Sequence, residues 1–467
     1  MRSRARLTTT LALCASVAGS LLVAARPAGA ATAFATSAWT TYHGNNARTG
    51  VASTQPKLTP LRHVWANALD GSAVYGQPLV AGGRVFVATE DDNVYALNAH
   101  NGKVLWHRNI GQPLRNVTTN TGCGNIDPLG ITSTPVIGTS GSTVYVVGEV
   151  SHGGAPPVAH RLVGFNVRTG AVNISFNADP KLPAGESRIH LQQRAALAVA
   201  NGRVYVAYGG LAGDCGLYHG WVVGVAENGT SPKLQFDTTP QSTGGAIWQA
   251  GGGPSVDAAG NVYVTTGNPN SGGAAPWAEA VVKLGPKLTT PPLAVFNDSA
   301  ATGDEDLGTG DAMLLPGKQV FAVGKTDVGF LLHQSGLTRV APISGTVCGS
   351  DPDGGGAFDQ ATDSVYVPCR NGGIQQVNLS THAVGWHAGT ANGAPIVVNG
   401  KLWALAYNGG TLEQLNARTG AVLQSIAVGA QVPTFASPAA ADGLILVGTM
   451  AGVRAFDGPA GPPPSTA

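Results

Sequence analysis

The sequence predicts an all-β protein, an eight-bladed β-propeller of four-stranded antiparallel blades closed by an N-terminal strand. Three observations predict it: the composition, a phrase that recurs eight times, and a last copy that lacks one strand. Glycine supplies 66 of the 467 residues, and 11% of the residues are charged. High Gly with many Val, Thr and Ala favours short strands joined by tight turns over helices.

The recurring phrase is a Gly, Asn or Asp turn, a β-branched run, a second turn, another apolar strand and a Gly turn. Its eight copies begin at Gly82, Gly141, Asn201, Ala259, Gly317, Asp363, Asn399 and Asp442. Apolar and polar residues alternate with period two, so each copy contains strands with a buried face. Its N-G, D-G and G-G dipeptides supply the positive φ that tight hairpins need. Radial repetition of such units describes a propeller.

The last copy ends at Phe456 without its fourth strand. Residues 61–69 resemble the missing outer strand, with Trp65 in the position that Trp106 holds in the first copy. We expect the N-terminal segment to complete the final blade, because closure removes exposed sheet edges. An open solenoid or two separate β domains is the alternative.

The ends of the chain predict export. Residues 1–30 combine early arginines, an apolar run and an A-x-A pattern at Ala28-Gly29-Ala30, which indicates a signal peptide cleaved near Ala30. Leu13 before Cys14 argues against a lipid anchor. We expect a single propeller over residues 31–458, a disordered tail over 459–467 and a secreted, extracellular protein.

The charge balance limits the partners. A formal net charge of +1 gives no electrostatic footprint for nucleic acid or an anionic membrane. We expect a monomer that binds a protein, a polysaccharide or a small molecule at its channel face.

Four cysteines remain after the predicted cleavage, and an oxidising compartment favours two disulfides among three possible pairings. The preferred pairing is Cys123 with Cys215 and Cys348 with Cys369, since each joins neighbouring repeats. A metal site is the alternative, but there is no C-x-x-C spacing.

Residues 96–106, ALNAHNGKVLW, resemble the tryptophan-docking repeat of pyrroloquinoline quinone (PQQ) propellers. In that repeat a Gly turn ends the third strand and the indole packs between blades, which buries a large apolar area. The family includes quinoprotein alcohol dehydrogenases and noncatalytic propellers of the outer-membrane assembly type. The repeat therefore indicates the fold more strongly than the function.

A second stretch resembles the quinoprotein cofactor site. By that resemblance Trp248 is the platform on which PQQ stacks, and Asn268 in a T-G-N-P turn is a Ca²⁺ ligand. Asp304 and Asp306 match the segment of the catalytic Asp, and Lys325 matches the residue that contacts the quinone oxygens. A hard cation, a carboxylate base and a cation beside the quinone suit such chemistry.

The chain also departs from the dehydrogenases. It has no adjacent Cys-Cys pair, no C-x-x-C-H haem motif and no Trp in the Asp304 segment, and Glu149 and Glu186 are loose candidates for the calcium-binding Glu. A structural role remains the alternative for each site residue. Trp248 would pack between blades, Asn268 would stand in a turn, and Lys325 would be a solvated turn residue. The remaining two, Asp304 and Asp306, would accept hydrogen bonds from backbone N–H groups. Residues 190–194 and 218–221 are candidates for the channel mouth, although packing is the better interpretation. Residues 351–354 are predicted to form a turn and not a calcium loop, because Thr362 holds the position of the twelfth ligand.

Two functions follow as hypotheses. The first is a noncatalytic binding or scaffold protein that uses its channel face, which the partial docking motifs and missing electron-transfer parts favour. The alternative is a PQQ- and calcium-dependent dehydrogenase that oxidises an alcohol or a sugar, which the family order of the five site residues favours.

Overall fold

Eight antiparallel sheets follow one another along the chain and form the blades of a β-propeller, as predicted. The computed structural model describes residues 38–52, 55–270, 273–407, 409–459 and 461. The predicted signal peptide, residues 1–30, and most of the predicted tail lie outside the described residues.

The first four blades run from β3 onward, after two strands that the last blades share: β1 (Val51–Ala52) and β2 (Arg62–Asn67). Blade 1 consists of β3 (Leu79–Ala81), β4 (Arg84–Ala88), β5 (Asn93–Asn98) and β6 (Val104–Asn109). Blade 2 consists of β7 (Gln112–Pro113), β8 (Val136–Ile137), β9 (Thr143–His152), β10 (Ala155–Asn166) and β11 (Val172–Asn177). Blade 3 consists of β12 (Leu191–Gln192), β13 (Ala198–Ala200), β14 (Arg203–Gly210), β15 (Trp221–Ala226) and β16 (Leu234–Asp237). Blade 4 consists of β17 (Ser255–Val256), β18 (Val262–Thr266), β19 (Ala280–Leu284) and β20 (Ala294–Asn297).

The other four blades repeat the same order. Blade 5 consists of β21 (Met313–Leu315), β22 (Gln319–Val323), β23 (Gly329–His333) and β24 (Arg339–Pro342). Blade 6 consists of β25 (Ala357–Asp359), β26 (Ser364–Pro368), β27 (Ile374–Asn378) and β28 (Ala383–Ala388). Blade 7 consists of β29 (Ile396–Val398), β30 (Lys401–Ala406), β31 (Thr411–Asn416), β32 (Val422–Ala427) and the parallel strand β1. Blade 8 consists of β33 (Ala439–Ala441), β34 (Leu444–Thr449), β35 (Gly452–Asp457) and the N-terminal strand β2.

Among the described residues, helical structure is confined to short segments outside the strands of the blades. One α-helix, α1, spans Val117–Thr121. Single 3₁₀ turns span Tyr42–Gly44, Arg188–His190, Gln249–Gly251, Leu307–Thr309 and Pro316–Lys318. No helix among the described residues has the length and apolar character that crossing a membrane requires.

The ring is closed by the N-terminal strand, as predicted. β2 pairs antiparallel with β35, from Arg62 opposite Asp457 to Asn67 opposite Val453. Arg62 also forms an ion pair with Asp457, at 2.7 Å. The first and last parts of the propeller thus share one sheet, which leaves blade 8 with its full set of strands.

The core of the protein lies between blades. Each of five clusters of buried apolar side chains joins two adjacent blades, and a larger one joins blades 7, 8, 1 and 2. The inner strands are buried on both faces because neighbouring blades cover them, whereas outer strands such as β32 alternate between exposed and half-buried residues. The interfaces between blades therefore supply most of the apolar burial that stabilises the fold.

Residues 38–52 close one end of the channel. This segment bonds the middle residues of the inner strands in turn, for example Trp39 to Val80 and Ala47 to Leu314, both through backbone groups. The Arg48 side chain is fully buried and donates to the carbonyl oxygens of Leu197 and Pro254 at 2.8–3.1 Å. All its charge is therefore solvated by protein dipoles, and we call residues 38–52 the channel floor.

Candidate functional site

One position repeats at the channel end opposite the floor. In each blade the first residue of the inner strand pairs with a large residue of the next strand, for example Met313 with Phe321 and Ala357 with Tyr366. The residue four places after that partner lies at the mouth of the channel, just beyond the end of the second strand in six blades and still inside it in blades 2 and 3. The eight residues at this mouth position are Glu90, Glu149, Gly209, Gly267, Lys325, Arg370, Tyr407 and Met450.

The two glycines at the mouth position make room for other side chains. A Cβ on Gly209 would lie 2.2 Å from Cδ1 of Trp248, and one on Gly267 would lie 2.3 Å from Oδ1 of Asp306. Both distances are far below van der Waals contact, so these positions must lack a side chain. In blades 3 and 4, Trp248 and Asp306 therefore occupy the space that a side chain at the mouth position would fill.

A cavity of about 280 Å³ opens at this mouth. Residues from blades 3, 4, 5, 6 and 8, with one from the long loop of blade 2, surround it. Its lining includes Asn125, Gln192, Arg194, Ala212, Gly213, Asp214, Trp248, Ala250, Asp304, Thr309, Lys325, Asp353, Arg370 and Phe435. The cavity residues precede inner strands or follow the second strands, so they lie at the end of the channel away from the floor.

Trp248 forms one wall of the cavity. Its indole is half-buried, and Nε1 donates to the carbonyl oxygen of Gly210 at 2.9 Å. The next two residues, Gln249 and Ala250, both have positive φ, at 50° and 41°. Such φ values are rare for residues with a side chain and tend to persist where the surrounding structure requires them, often at functional sites. The strained turn fixes the direction of the Trp248 ring.

Lys325 lies between two of the predicted site carboxylates. Its ammonium is 2.9 Å from Oδ1 of Asp304 and 2.8 Å from Oδ2 of Asp306, and 5.9 Å from the Trp248 ring. Burial alone would lower the pKa of Lys325, but the charges and hydrogen bonds of the two carboxylates raise it. The lysine is therefore a permanent cation, and it neutralises the acidic side of the cavity.

Asn268 is placed beside this cluster and not in the cavity lining. Its backbone N–H donates to Oδ1 of Asp306 at 2.8 Å, and its Nδ2 donates to Asn270 at 3.1 Å. Gly267, one residue earlier, holds the mouth position, so the extended chain directs the Asn268 side chain elsewhere. The structure thus brings Trp248, Asp304 and Lys325 to one cavity and leaves Asp306 and Asn268 behind it.

These residues do not fit a calcium ion as they are arranged. Ca²⁺ takes six to eight oxygen ligands. Both oxygens of Asp306 are engaged, one by Lys325 and one by the Asn268 N–H. Within the described part of the chain, no group of three or more His, Cys, Asp or Glu residues is placed to hold a metal.

Two charged residues of blade 6 complete the far wall. Arg370 binds Oδ2 of Asp351 at 2.7 Å and both oxygens of Asp353 at 2.7 and 3.1 Å. The sequence predicts only a turn at residues 351–354, and no motif identifies Arg370 as a site residue. The signal that identifies Arg370 is its place in the repeat, since it matches Lys325.

Arg194 and Phe435 were also not selected as site residues. The Arg194 guanidinium lies 4.5 Å from the centre of the Phe435 ring. Packing is the preferred interpretation of residues 190–194 from the sequence, with the channel mouth as the alternative, and Arg194 lines the cavity. Phe435 comes from a loop that precedes blade 8, about 240 residues away, and no local motif marks it.

Both preferred disulfides are present, and each borders the cavity. Cys123–Cys215 ties the blade 2 loop to the loop that carries Gly213 and Asp214. Cys348–Cys369 ties the loop before blade 6 to the end of β26, because Cys369 follows that strand and directly precedes Arg370. The cavity walls are therefore covalently fastened on two sides.

The remaining acidic and histidine candidates form buried pairs with each other in blades 2 and 3 and their loops. Glu186 binds Nε2 of His219 at 2.7 Å, and Asp237 binds Nδ1 of the same ring at 2.9 Å. Glu149 lies 3.6 Å from Nε2 of the fully buried His160. None of these side chains belongs to the described cavity lining.

Comparisons with known proteins agree with this architecture. The family model described as outer membrane protein assembly factor BamB matches residues 37–212. No curated protein matches the sequence. The quinohemoprotein alcohol dehydrogenase of Comamonas testosteroni is similar in structure, with a TM-score of 0.68 and 16% identity over 90% of this chain and 80% of that one.

Two further solved structures share the fold. A europium-containing methanol dehydrogenase has a TM-score of 0.68 and 14% identity over 88% of this chain and 89% of that one. BamB from Moraxella catarrhalis has a TM-score of 0.57 and 14% identity over 85% of this chain and 99% of that one. The predicted resemblance to PQQ-repeat propellers is confirmed.

Proposed function

We propose that this chain, a quinoprotein-like β-propeller of PQQ repeats, is a secreted binding protein without catalytic activity. Its ligand occupies the cavity beside Trp248, and no metal ion takes part. The observation that carries the proposal is the position of Lys325, whose ammonium lies within 2.9 Å of both Asp304 and Asp306. The positive charge that a bound cation would supply is already provided by the protein.

The same ion pairs make the exposed carboxylate a poor base. Burial acts to raise the pKa of Asp304, but the hydrogen bond and charge of Lys325 outweigh it and lower the pKa. A general base works best when its pKa lies near the operating pH. Asp304 is therefore suited to hold Lys325 and unsuited to accept a proton from an alcohol.

The surroundings of the cavity suit ligand binding in an oxidising compartment. Disulfides persist in secreted proteins, and both of these hold loops of the cavity wall. A preformed wall lowers the ordering cost of binding. The match to an assembly-factor family model supports a role without chemistry.

The alternative is a PQQ- and calcium-dependent dehydrogenase acting on an alcohol or a sugar. It is favoured by one observation: Trp248, Asp304 and Lys325, chosen from the family order, line a single cavity. The alcohol dehydrogenase and the methanol dehydrogenase described above share the fold and agree with this alternative.

One experiment separates the two functions. PQQ is titrated into the purified protein with excess Ca²⁺ and, separately, with EDTA, while tryptophan fluorescence and dye-linked oxidation of alcohols and sugars are measured. We expect the same titration curve under both conditions and no dye reduction. PQQ binding that requires Ca²⁺, with dye reduction that Asp306→Asn abolishes, contradicts the proposal.

The fluorescence change is assigned with two variants. Trp248→Phe removes the cavity indole, whereas Trp277→Phe removes a half-buried indole that packs on Phe236 outside the cavity. A quenching signal from the cavity disappears in the first variant and persists in the second.

A further inference from the structure

We propose that Arg194 anchors the carboxylate of an aromatic acid, whose ring lies against the aromatic wall of the cavity. The inference rests on the proposed binding function and names the ligand class of the same site. It is carried by a difference between Arg194 and the other two cations of the cavity.

Lys325 and Arg370 each have two carboxylate partners. Lys325 is paired with Asp304 and Asp306, and Arg370 is paired with Asp351 and Asp353. Their charges are balanced within the protein. They consequently offer little to an anionic ligand.

Arg194 has no carboxylate within ion-pair distance among the described residues. Its residue is 7% exposed, and the one hydrogen bond that its guanidinium donates to another described residue, to the carbonyl oxygen of Thr434, is long at 3.5 Å. A desolvated cation without a counter-ion is costly. A ligand carboxylate would remove that cost, and the planar guanidinium can bind it through two parallel hydrogen bonds.

The charges of two carboxylates, Glu90 and Asp353, act on Arg194 from beyond ion-pair distance. Oε2 of Glu90 accepts from the Gly130 N–H at 2.9 Å and from Thr132 at 3.1 Å. Asp353 is held by Arg370, as described above. Neither carboxylate forms an ion pair with Arg194 among the described residues, although Oε1 of Glu90 has no hydrogen-bond partner there. A ligand carboxylate in the cavity can therefore bind the guanidinium directly.

The aromatic wall explains why the acid is an aromatic one. The Arg194 guanidinium lies 4.5 Å from the Phe435 ring and 5.8 Å from the Tyr75 ring. Phe435 has φ +66°, which a bulky residue rarely adopts. The strain holds the Phe435 ring against the guanidinium, on the same cavity to which Trp248 contributes.

The size of the cavity favours a small ligand. Its volume of about 280 Å³ is that of a site for one or two fused rings and lies near the lower limit of roughly 300 Å³ for small-molecule pockets. A protein segment or a polysaccharide chain would not fit inside it.

The test uses three probes and the full-length secreted chain. 2-Naphthoate, its uncharged isostere 2-naphthamide and inorganic phosphate are titrated by calorimetry at neutral pH. We expect naphthoate to bind at least about tenfold more tightly than naphthamide, which corresponds to about 1.4 kcal/mol. Phosphate, which lacks a ring, should bind more weakly than naphthoate.

Variants assign the preference to Arg194. In Arg194→Gln the ratio of the two naphthalene affinities should fall to about one, and Arg194→Lys should keep part of it. Arg339→Gln is the matched control, because Arg339 also stacks on two rings, Phe296 and Phe330 at 5.1 and 5.0 Å, but lies outside the cavity lining. It should keep the full ratio.

The outcomes that overturn the proposal are distinct. Equal binding of naphthoate and naphthamide, or a preference that survives in Arg194→Gln, overturns the role of Arg194 and leaves a ligand-binding cavity in place. Phosphate binding as tight as that of naphthoate overturns the aromatic class. Failure of both naphthalene probes to bind overturns this inference alone, because the proposed binding function is tested separately by the PQQ titration with Ca²⁺ and with EDTA.

Discussion

The indole of Trp65 lies on Gly102 of the neighbouring blade, where a Cβ would come within 2.5 Å of the ring carbon Cε3. Nε1 of Trp65 also donates to the carbonyl oxygen of Ala99 at 2.9 Å. The same packing places Trp106 on Gly170 and Trp386 on Gly420. The glycine of each turn is thus needed for two reasons, its positive φ and its lack of a side chain.

Gly102→Ala should destabilise the protein more than Gly83→Ala. Both glycines have φ +68°, so the backbone cost of about 1–2 kcal/mol is common to both. A Cβ on Gly83 meets nothing within 4 Å, whereas one on Gly102 overlaps Trp65. We expect an additional loss of about 1–3 kcal/mol for Gly102→Ala in denaturant unfolding. Equal losses would show that the indole moves aside freely.

Asp92→Asn should stabilise the protein, and the gain should grow with pH. Burial, followed by the charges of Glu90 and Glu149, raises the pKa of Asp92 from 3.8 to about 9. The unfolded chain releases this proton near pH 4 and the folded chain near pH 9, so stability is lost as the pH rises between them. Asn does not ionise. We expect a gain of about 1–3 kcal/mol at pH 8 and little below pH 4, measured by unfolding across pH.

Asp91→Asn is the control for that pH series. Asp91 is the neighbouring carboxylate, its side chain is 30% exposed, and it pairs with Arg115 at the surface. Surface pairs contribute about 0–1 kcal/mol, so we expect a small change without the same trend. A pH-independent gain for Asp92→Asn would point to the turn conformation instead of the charge.

Lys325→Gln should create a response to calcium that the natural protein lacks. Without the ammonium, Asp304 and Asp306 face each other uncompensated and offer oxygen ligands to a hard cation. At Ca²⁺ concentrations ten times the dissociation constant, binding stabilises the fold by about 1.4 kcal/mol. Thermal unfolding with and without millimolar Ca²⁺ measures the effect.

Lys325→Arg keeps the positive charge and should show no calcium response. If the natural protein is stabilised by Ca²⁺ as much as Lys325→Gln is, the lysine does not take the place of a cation. The premise of the proposed function would then be wrong.

Loss of the Cys123–Cys215 disulfide should cost more stability than loss of Cys348–Cys369. The bridges span sequence separations of 92 and 21 residues, respectively. Loop-closure entropy grows with the logarithm of that length, which predicts about 1 kcal/mol more for the longer loop. Double Cys→Ser variants of each pair, compared in denaturant, test the order. A larger loss for the shorter bridge would indicate that native contacts around Arg370 dominate.

The fold was predictable from the sequence because each blade repeats its own local pattern. Period-two alternation and Gly turns mark every copy, and Trp65 identifies the strand that closes the ring. The unusual lengths of β9 and β10 could not be predicted from the repeat, because both strands extend into the hairpin that joins them within blade 2.

A site residue could be predicted from the sequence only where a recognisable motif surrounds it. Trp248, Asp304 and Lys325 come from consecutive blades and follow a family order. Arg194 and Phe435 meet through the closure of the ring, which joins distant parts of the chain. The pairing of Lys325 with both carboxylates also depends on side-chain geometry that spacing does not encode.

The channel floor and the strand β2 impose an order on folding. Both precede blade 1 in the chain, yet β2 pairs with β35 and the floor bonds to all eight inner strands or the loops before them. Neither can complete its native pairing until the last blade has been made. A chain truncated before β35 would therefore leave β2 without its partner strand and blade 8 incomplete.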